Sequence, residues 1–548
     1  MKILPAIFFF VLFQLTLLFW ASPSFADEAH HHEDLTPEQL GTVHFPVSCS
    51  PSVQQSFERG VALLHSFWYE QAETTFEQIA KEDHQCAMAH WGIAMSLWHQ
   101  LWNHPDEKTV ERGRSEADAA DAFRPKTERE HEYIAAINAF YSGPSTRKYQ
   151  SRATDYSKAM QKVYQRNPQD YEAAAFYALS LLASEPENSA NQSNRKKSAA
   201  VLEPVFAVEP NHPGAIHYLI HTYDTEDMAP LGLPAARRYA QIAPAAPHAL
   251  HMPSHIFARL GLWQDDINSN LASIAASRKY AEMGGEGHEF HAMDFLFYAY
   301  MQSGRESDAH RLIEEVKAMP PMKDMYGMGF DPRISKLAAF EATYPLELHK
   351  WQEAAALSLV PTAASEDESI THWARAIGMA HLGKTAEARK EIAEIESIHK
   401  KLSEQKKSKS TLDAIDQDRK QAEAWEEYSE GKKDHAVSLL RSVAGKSSGV
   451  YQASDQIPAR EMLADMLLEM NRPADALAEY QAGLKTNPNR FDSLYGAARA
   501  AQQGGQNEKA SDYFAQLVKN CEASNSERPE LTEARVWLAK QQNVSAKR

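Results

Sequence analysis

The chain has 548 residues, of which 43% are hydrophobic and 24% are charged, and its formal net charge is −17. This composition provides enough apolar surface for a large folded core and excludes collagen-like and low-complexity chains. Because the acidic excess repels the phosphate backbone of DNA and RNA, we expect no nucleic-acid partner.

The first 26 residues have the pattern of a secretory signal peptide. Lys2 gives a positive start, the apolar run Ile3–Trp20 follows, and Ser24 and Ala26 are small residues that a signal peptidase accepts. We therefore predict a signal peptide over residues 1–26 and an exported protein, either periplasmic or secreted. Because the apolar run is longer than most signal cores, an uncleaved membrane anchor is the alternative. No later segment is apolar enough for a membrane span.

The next segment, residues 27–50, contains three consecutive histidines and is predicted to be a flexible, His-containing N-terminal segment. It ends near the first of three cysteines. Cys49 and Cys86 each precede a predicted helix in neighbouring repeats, and an exported protein can oxidise such a pair. A Cys49–Cys86 disulfide and two buried free thiols both remain open, whereas Cys521 is expected to be unpaired.

The rest of the chain is predicted to be almost entirely helical, because apolar residues recur at helical spacing and hairpin turn signals are nearly absent. We divide it into an N-terminal and central repeat region with a His-rich groove, a charged helix or linker, C-terminal repeats and a disordered tail. These segments span residues 51–395, 396–420, 421–540 and 541–548.

A repeat is plainest near the C-terminus. Ala476 and Ala510 are 34 residues apart, and so are Tyr480 and Phe514, while Pro488 closes the first unit. Small residues let two helices approach, an aromatic ring fills the space between them, and proline ends the second helix. This pattern resembles the tetratricopeptide repeat (TPR) family. The resemblance implies an all-α, right-handed solenoid whose first helices line a concave groove that binds a protein or peptide partner.

Two pairs of histidines recur at the same interval. His217 and His221 are separated by four residues, as are His251 and His255, and the pairs are 34 residues apart. Residues four apart lie on one face of a helix, and a shift of one repeat moves to the equivalent place on the next helix. We therefore predict that the two pairs lie side by side.

A third helix brings further candidates to the same rows. Alignment on Gly261 and Gly304 places His291 and Asp294 level with His248 and His251. Imidazole nitrogens in this arrangement suit a divalent transition metal such as zinc, copper, nickel or iron. We predict four metal ligands, assisted by three neighbouring residues. The ligands are His217, His221, His251 and His255, and the assisting residues are His248, His291 and Asp294.

Three classes of function remain open at this point. The histidines can contact a partner in a scaffold without metal, can bind metal, or can serve a metal-dependent hydrolase or oxidase. Neither pair has the His-Glu-x-x-His pattern, so the glutamate base of a metalloprotease is missing.

Overall fold

A computed structural model describes residues 35–186, 192–283, 288–322, 331–445 and 457–545. The predicted signal peptide over residues 1–26 and the three consecutive histidines lie outside these residues. The described residues from Thr36 onward belong to one compact unit.

The described residues form α-helices and two short 3-10 helices, Pro51–Val53 and Ala281–Met283. The α-helices, numbered in chain order, are α1 Pro37–Leu40, α2 Gln54–His65, α3 Tyr69–Glu82, α4 Ala87–Ser96, α5 Glu107–Ala122, α6 Glu128–Tyr141, α7 Tyr149–Arg166, α8 Tyr171–Ala183, α9 Ser193–Val208, α10 Pro213–Tyr223, α11 Ala229–Ile242, α12 Pro247–His251, α13 Pro253–Leu260, α14 Trp263–Lys279, α15 His288–Gln302, α16 Glu306–Ala318, α17 Pro332–Glu347, α18 Trp351–Ala355, α19 Ser365–His381, α20 Thr385–Glu404, α21 Lys409–Ser429, α22 Lys433–Ala444, α23 Ala459–Glu469, α24 Pro473–Thr486, α25 Phe491–Gln503, α26 Asn507–Asn520 and α27 Pro529–Ser545.

Several helices begin where a short polar side chain satisfies free backbone N–H groups. Asp106 accepts from the amide of Thr109, and Thr127 forms a capping box with Glu130. Such caps, together with prolines in the first turn, fix where the helices start.

Consecutive helices pack as pairs, and most of the first helices also pack on the first helix of the next pair. The series of first helices includes α2, α4, α6, α8, α10, the α12–α13 segment, α15, α17 and α19. The prediction of an all-α solenoid of helix pairs is therefore confirmed.

The small-residue and aromatic pattern packs as the sequence predicts. The Phe76 ring of α3 lies against Gly60 of α2 and Gly92 of α4, and the Tyr480 ring of α24 lies against Gly496 of α25. Glycine allows the close approach because any Cβ would occupy the space of the ring.

We expect Gly60→Ala to destabilise the protein by about 1–3 kcal/mol, the usual cost of overpacking. A Cβ on Gly60 would lie 2.7 Å from Cζ of Phe76, whose fully buried ring cannot move away. The matched control is Gly483→Ala, whose Cβ would lie 3.7 Å from Cδ of Arg460. We expect that change to stabilise by about 0.4–1 kcal/mol. Urea unfolding measures both, and equal effects would contradict the packing explanation.

Of the segment 27–50 that was predicted to be flexible, residues 35–50 are described, and they contact the first repeats. Phe45 is fully buried, with its ring centroid 5.3 Å from Phe57 and 5.0 Å from Tyr133, and Cys49 and Cys86 form a disulfide. The buried ring and the covalent link hold residues 36–50 on the first repeats. Cys521 is a buried free cysteine, as predicted.

The charged segment predicted at residues 396–420 spans the end of α20 and the first half of α21. Leu402 and Ile415 within it are buried. The segment therefore belongs to two helices that pack on each other. Residues 541–545 of the predicted tail continue α27, and residues 546–548 lie outside the described part.

The C-terminal repeats pack back onto the central ones. The indole of Trp263 donates to the carbonyl of Asn489 (2.9 Å), and the Asn489 amide donates to the carbonyl of Gly261 (3.1 Å). Nearby, the backbone amide of Phe491 donates to the Gln302 side chain (2.9 Å). Within the described part of the chain, no helix is long and apolar enough to cross a membrane.

Candidate metal centre

Helix α10 supplies the first predicted pair. His212 caps this helix by accepting a hydrogen bond from the amide of Ala215, and Pro213 occupies the first turn. His217 and His221 follow one turn apart, and both are buried. Their Nε2 atoms lie 3.0 Å apart, so the predicted shared face of this pair is present.

The second pair spans a helix break that the sequence analysis did not predict. His251 ends α12 and His255 lies in α13, because Pro253 has no N–H to continue the hydrogen-bond ladder. Met252 between them keeps right-handed helical dihedral angles. The two rings therefore stay on one side, and their Nε2 atoms also lie 3.0 Å apart.

The structure groups the histidines in threes. His217, His221 and His248 form the first group, and His251, His255 and His291 form the second. Within each group, one potential ligand atom from every residue lies within 4.8 Å of the others. The sequence spacing predicted four ligands at one site and an assisting role for His248 and His291. The geometry instead places both among the potential ligands, one in each group.

Asp294 does not join either group. Its Oδ2 atom is 2.5 Å from Nζ of Lys336 and 4.0 Å from Nδ1 of His291. The carboxylate is therefore paired with Lys336, and it lies near the Nδ1 side of the His291 ring. Two neighbouring tyrosines are engaged elsewhere: Tyr298 contacts Arg490, and Tyr223 contacts Glu203.

Three of the six rings are anchored through Nδ1. His217 Nδ1 donates to the carbonyl oxygen of His65 (2.5 Å), and His255 Nδ1 donates to Asp224 Oδ2 (2.9 Å). The carboxylate of Asp224 also accepts from Arg259. A carbonyl or carboxylate can only accept, so these rings carry their proton on Nδ1 and present an electron pair at Nε2.

The tautomer of His251 follows from its neighbour Asn270. The Asn270 amide nitrogen donates to the backbone oxygen of Asp266 (3.0 Å) and to its Oδ1 (2.7 Å), so Asn270 Oδ1 is the acceptor that faces His251 Nδ1 at 2.7 Å. His251 therefore also presents an electron pair at Nε2. The Nε2 atoms of His251 and His255 face each other at 3.0 Å, each with an electron pair, so a metal cation can bind between them.

Burial favours the neutral, ligand-competent form of the rings. The pKa of His217 is lowered to about 3, mainly by removal from water. Its hydrogen bond to the His65 backbone raises this pKa, and repulsion from His65 and His255 lowers it. Burial is likewise the main cause that lowers the pKa of His221, His248, His251 and His291. In addition, Nε2 of His248 is buried and makes no hydrogen bond among the described residues.

Aromatic rings enclose both groups. The centroid of Phe67 lies 4.4 Å from that of His217 and 5.4 Å from that of His248, and Trp102 lies 5.6 Å from His248. Phe295 lies 4.6 Å from His255 and completes the wall of the second group. Phe67 has a φ of 54°, a strained conformation for a non-glycine residue that directs its ring over the histidines.

A third cluster, His65, Glu172 and His212, supports the first group. Glu172 Oε2 is 2.6 Å from His65 Nε2, and its Oε1 is 3.1 Å from His212 Nε2. The pKa of Glu172 is lowered because attraction to the two histidines outweighs its burial. The cluster joins α2, α8 and α10, and so fixes the His65 carbonyl that holds His217. Glu172 was not predicted as a site residue, because nothing in the local sequence distinguishes it from other acidic residues at helix N-termini.

No protein-family model and no curated protein matches the chain. Among solved structures, the chain is similar to the human IFIT1 dimer with m7Gppp-AAAA at 12% identity and a TM-score of 0.34, covering 83% of this chain and 94% of that one. It is also similar to the TPR domain of P58(IPK) at 14% identity and a TM-score of 0.20, covering 68% and 99%.

Proposed function

We propose that this helical-repeat protein binds transition metal ions between α10, α12, α13 and α15, one in each three-His group. The observation that carries the proposal is the convergence of three histidines in each group, with the Nδ1 atoms of His217, His251 and His255 held by a carbonyl, an amide and a carboxylate so that their Nε2 atoms are unprotonated. That arrangement fixes the tautomer and the orientation of a metal-ligating histidine.

The donor set favours a metal that accepts neutral nitrogen ligands. Imidazole suits zinc, copper, iron and nickel, whereas magnesium and calcium prefer oxygen. Cys49 and Cys86 are bonded to each other and offer no thiolate. Three protein ligands per ion leave a coordination position open for a small molecule, as in catalytic rather than structural zinc sites.

Export from the cytosol forms part of the proposal. The signal-peptide pattern over residues 1–26 supports it, and so does the Cys49–Cys86 disulfide, because disulfides persist in oxidising compartments. A protein or peptide partner also fits the fold, since helical-repeat proteins commonly use extended concave surfaces for binding. A scaffold without metal is the alternative.

Elemental analysis tests the metal proposal. The protein, purified without a His tag or chelator and supplied with zinc, copper, nickel or iron, is expected to retain one ion in each group. His217→Ala is expected to lose the ion of the first group, His251→Ala that of the second, and the double variant both. Circular dichroism would verify that helicity persists in each variant.

His372→Ala is the matched control. His372 is buried, its Nδ1 is 2.6 Å from Glu391, and it belongs to neither group. After its removal Glu391 still pairs with Arg375 at 2.7 Å. The control is expected to retain the full metal content. A wild-type protein that binds none of the four metals would contradict the proposal and favour the scaffold.

A further inference from the structure

The two three-His groups are close neighbours. The ring centroid of His221 lies 6.4 Å from that of His255, and the centroid of His248 lies 6.2 Å from that of His251. Within the first group, the centroids of His221 and His248 are already 6.0 Å apart. His221 and His248 of the first group therefore face His255 and His251 of the second. The distances between the groups are about the same as the distance between His221 and His248 within the first group.

Each of the two groups is covered by an apolar phenylalanine ring. Phe67 packs on all members of the first group, and Phe295 packs on all members of the second. Neither group contains a carboxylate, because Asp294 is paired with Lys336 and Asp224 lies behind His255. Two cations held only by neutral rings would repel each other, so a small ligand shared between them would be strongly favoured.

We propose that the two groups bind a pair of copper ions that share one bridging ligand, and that the reduced pair takes up dioxygen. This inference rests on the proposed function, and adds to it the metal, the coupling between the sites and the ligand class. Paired metal ions that share ligands lie about 3.5–4 Å apart. The ring centroids that face each other across the two groups are 6.2 and 6.4 Å apart, so the groups are close enough to hold such a pair.

Copper fits the donor set better than the other candidates. Among divalent first-row metals, copper binds nitrogen sites most tightly. Neutral imidazoles also stabilise Cu(I), which accepts three ligands, so the same six rings can hold both oxidation states. Zinc would fill the sites but would not change its oxidation state.

The electron balance of the proposed step is simple. Each of two Cu(I) ions gives one electron and becomes Cu(II), and the dioxygen molecule that receives both electrons becomes a bridging peroxide. No proton is required for binding, and no other oxidant enters. Dioxygen can reach the second group along His291, whose side chain is 38% exposed, while the other members are buried.

Electron paramagnetic resonance tests the pairing directly. Two Cu(II) ions that share a bridging ligand couple their spins, so we expect the copper-loaded wild type to give only a small fraction of the signal expected from its copper content. His217→Ala and His251→Ala each keep one group, and we expect a full signal per copper from both. The His372→Ala control is expected to behave as the wild type.

The second arm uses dioxygen. After anaerobic reduction with ascorbate and removal of the excess, the wild type is expected to consume one dioxygen for every two copper ions and to gain a visible absorption band. The single-group variants are expected to show neither. Two bound copper ions with the full resonance signal would overturn the pairing and leave metal binding intact. Absence of bound copper would overturn the proposed function itself.

Discussion

Arg490→Ala is expected to destabilise the protein by about 3–5 kcal/mol, the usual cost of removing one partner of a buried ion pair. The guanidinium of Arg490 is fully buried, and it donates to Glu347 Oε1 (2.5 Å) and Glu461 Oε2 (2.8 Å). It also donates to the hydroxyl of Tyr298 (3.4 Å). Without the arginine, two carboxylates would remain in a site from which water is excluded. Urea unfolding at neutral pH measures the change.

Arg472→Ala is the matched control. Arg472 also precedes a helix of the C-terminal repeats, but its pair with Asp475 is solvent-exposed. Exposed ion pairs contribute about 0–1 kcal/mol. We therefore expect a much smaller change. Equal losses in both variants would show that Arg490 does not hold the C-terminal repeats on the central ones.

The repeat architecture was predictable because its signals are local. A small residue and an aromatic residue at fixed spacing define one helix pair, and Tyr480 packs against Gly496 as this pattern requires. The return of the C-terminal repeats onto the central ones was not predictable. Arg490 and Glu347 are 143 residues apart, and their contact depends on small rotations that accumulate over many repeats.

In the candidate site, too, the features set by local spacing were predictable, and those set by the packing of distant helices were not. Spacing of four residues placed His217 beside His221 and His251 beside His255. The regrouping in threes depends on how α10, α12 and α15 cross, so the roles of His248 and His291 were not fixed by spacing. The contact of Phe67 with the histidines could not be predicted either, because the position of its ring depends on a strained turn in a repeat that is distant in sequence.

Acid is expected to destabilise the metal-free protein steeply below about pH 6.5, the usual pKa of histidine. Burial lowers the pKa of His217 to about 3 and lowers the pKa of His221, His248 and His251 well below the usual value. The unfolded chain then binds protons that the folded chain cannot accept. Stability is therefore fully present above the unfolded pKa and is lost as the pH falls, by about 1.4 kcal/mol per pH unit for each histidine.

Bound metal is expected to increase the free energy of unfolding at neutral pH, and this stabilisation is expected to disappear in acid. A ligand that binds only the folded state at 100 times its Kd stabilises by about 2.7 kcal/mol, and each three-His group is expected to contribute such an amount. Protons compete for the same Nε2 electron pairs, so the gain should shrink as the pH falls. The measurement is urea unfolding between pH 5.5 and 7.5, with and without metal. His217→Ala/His251→Ala should lose the metal effect and part of the pH dependence, and an unchanged response in that variant would place both effects elsewhere in the molecule.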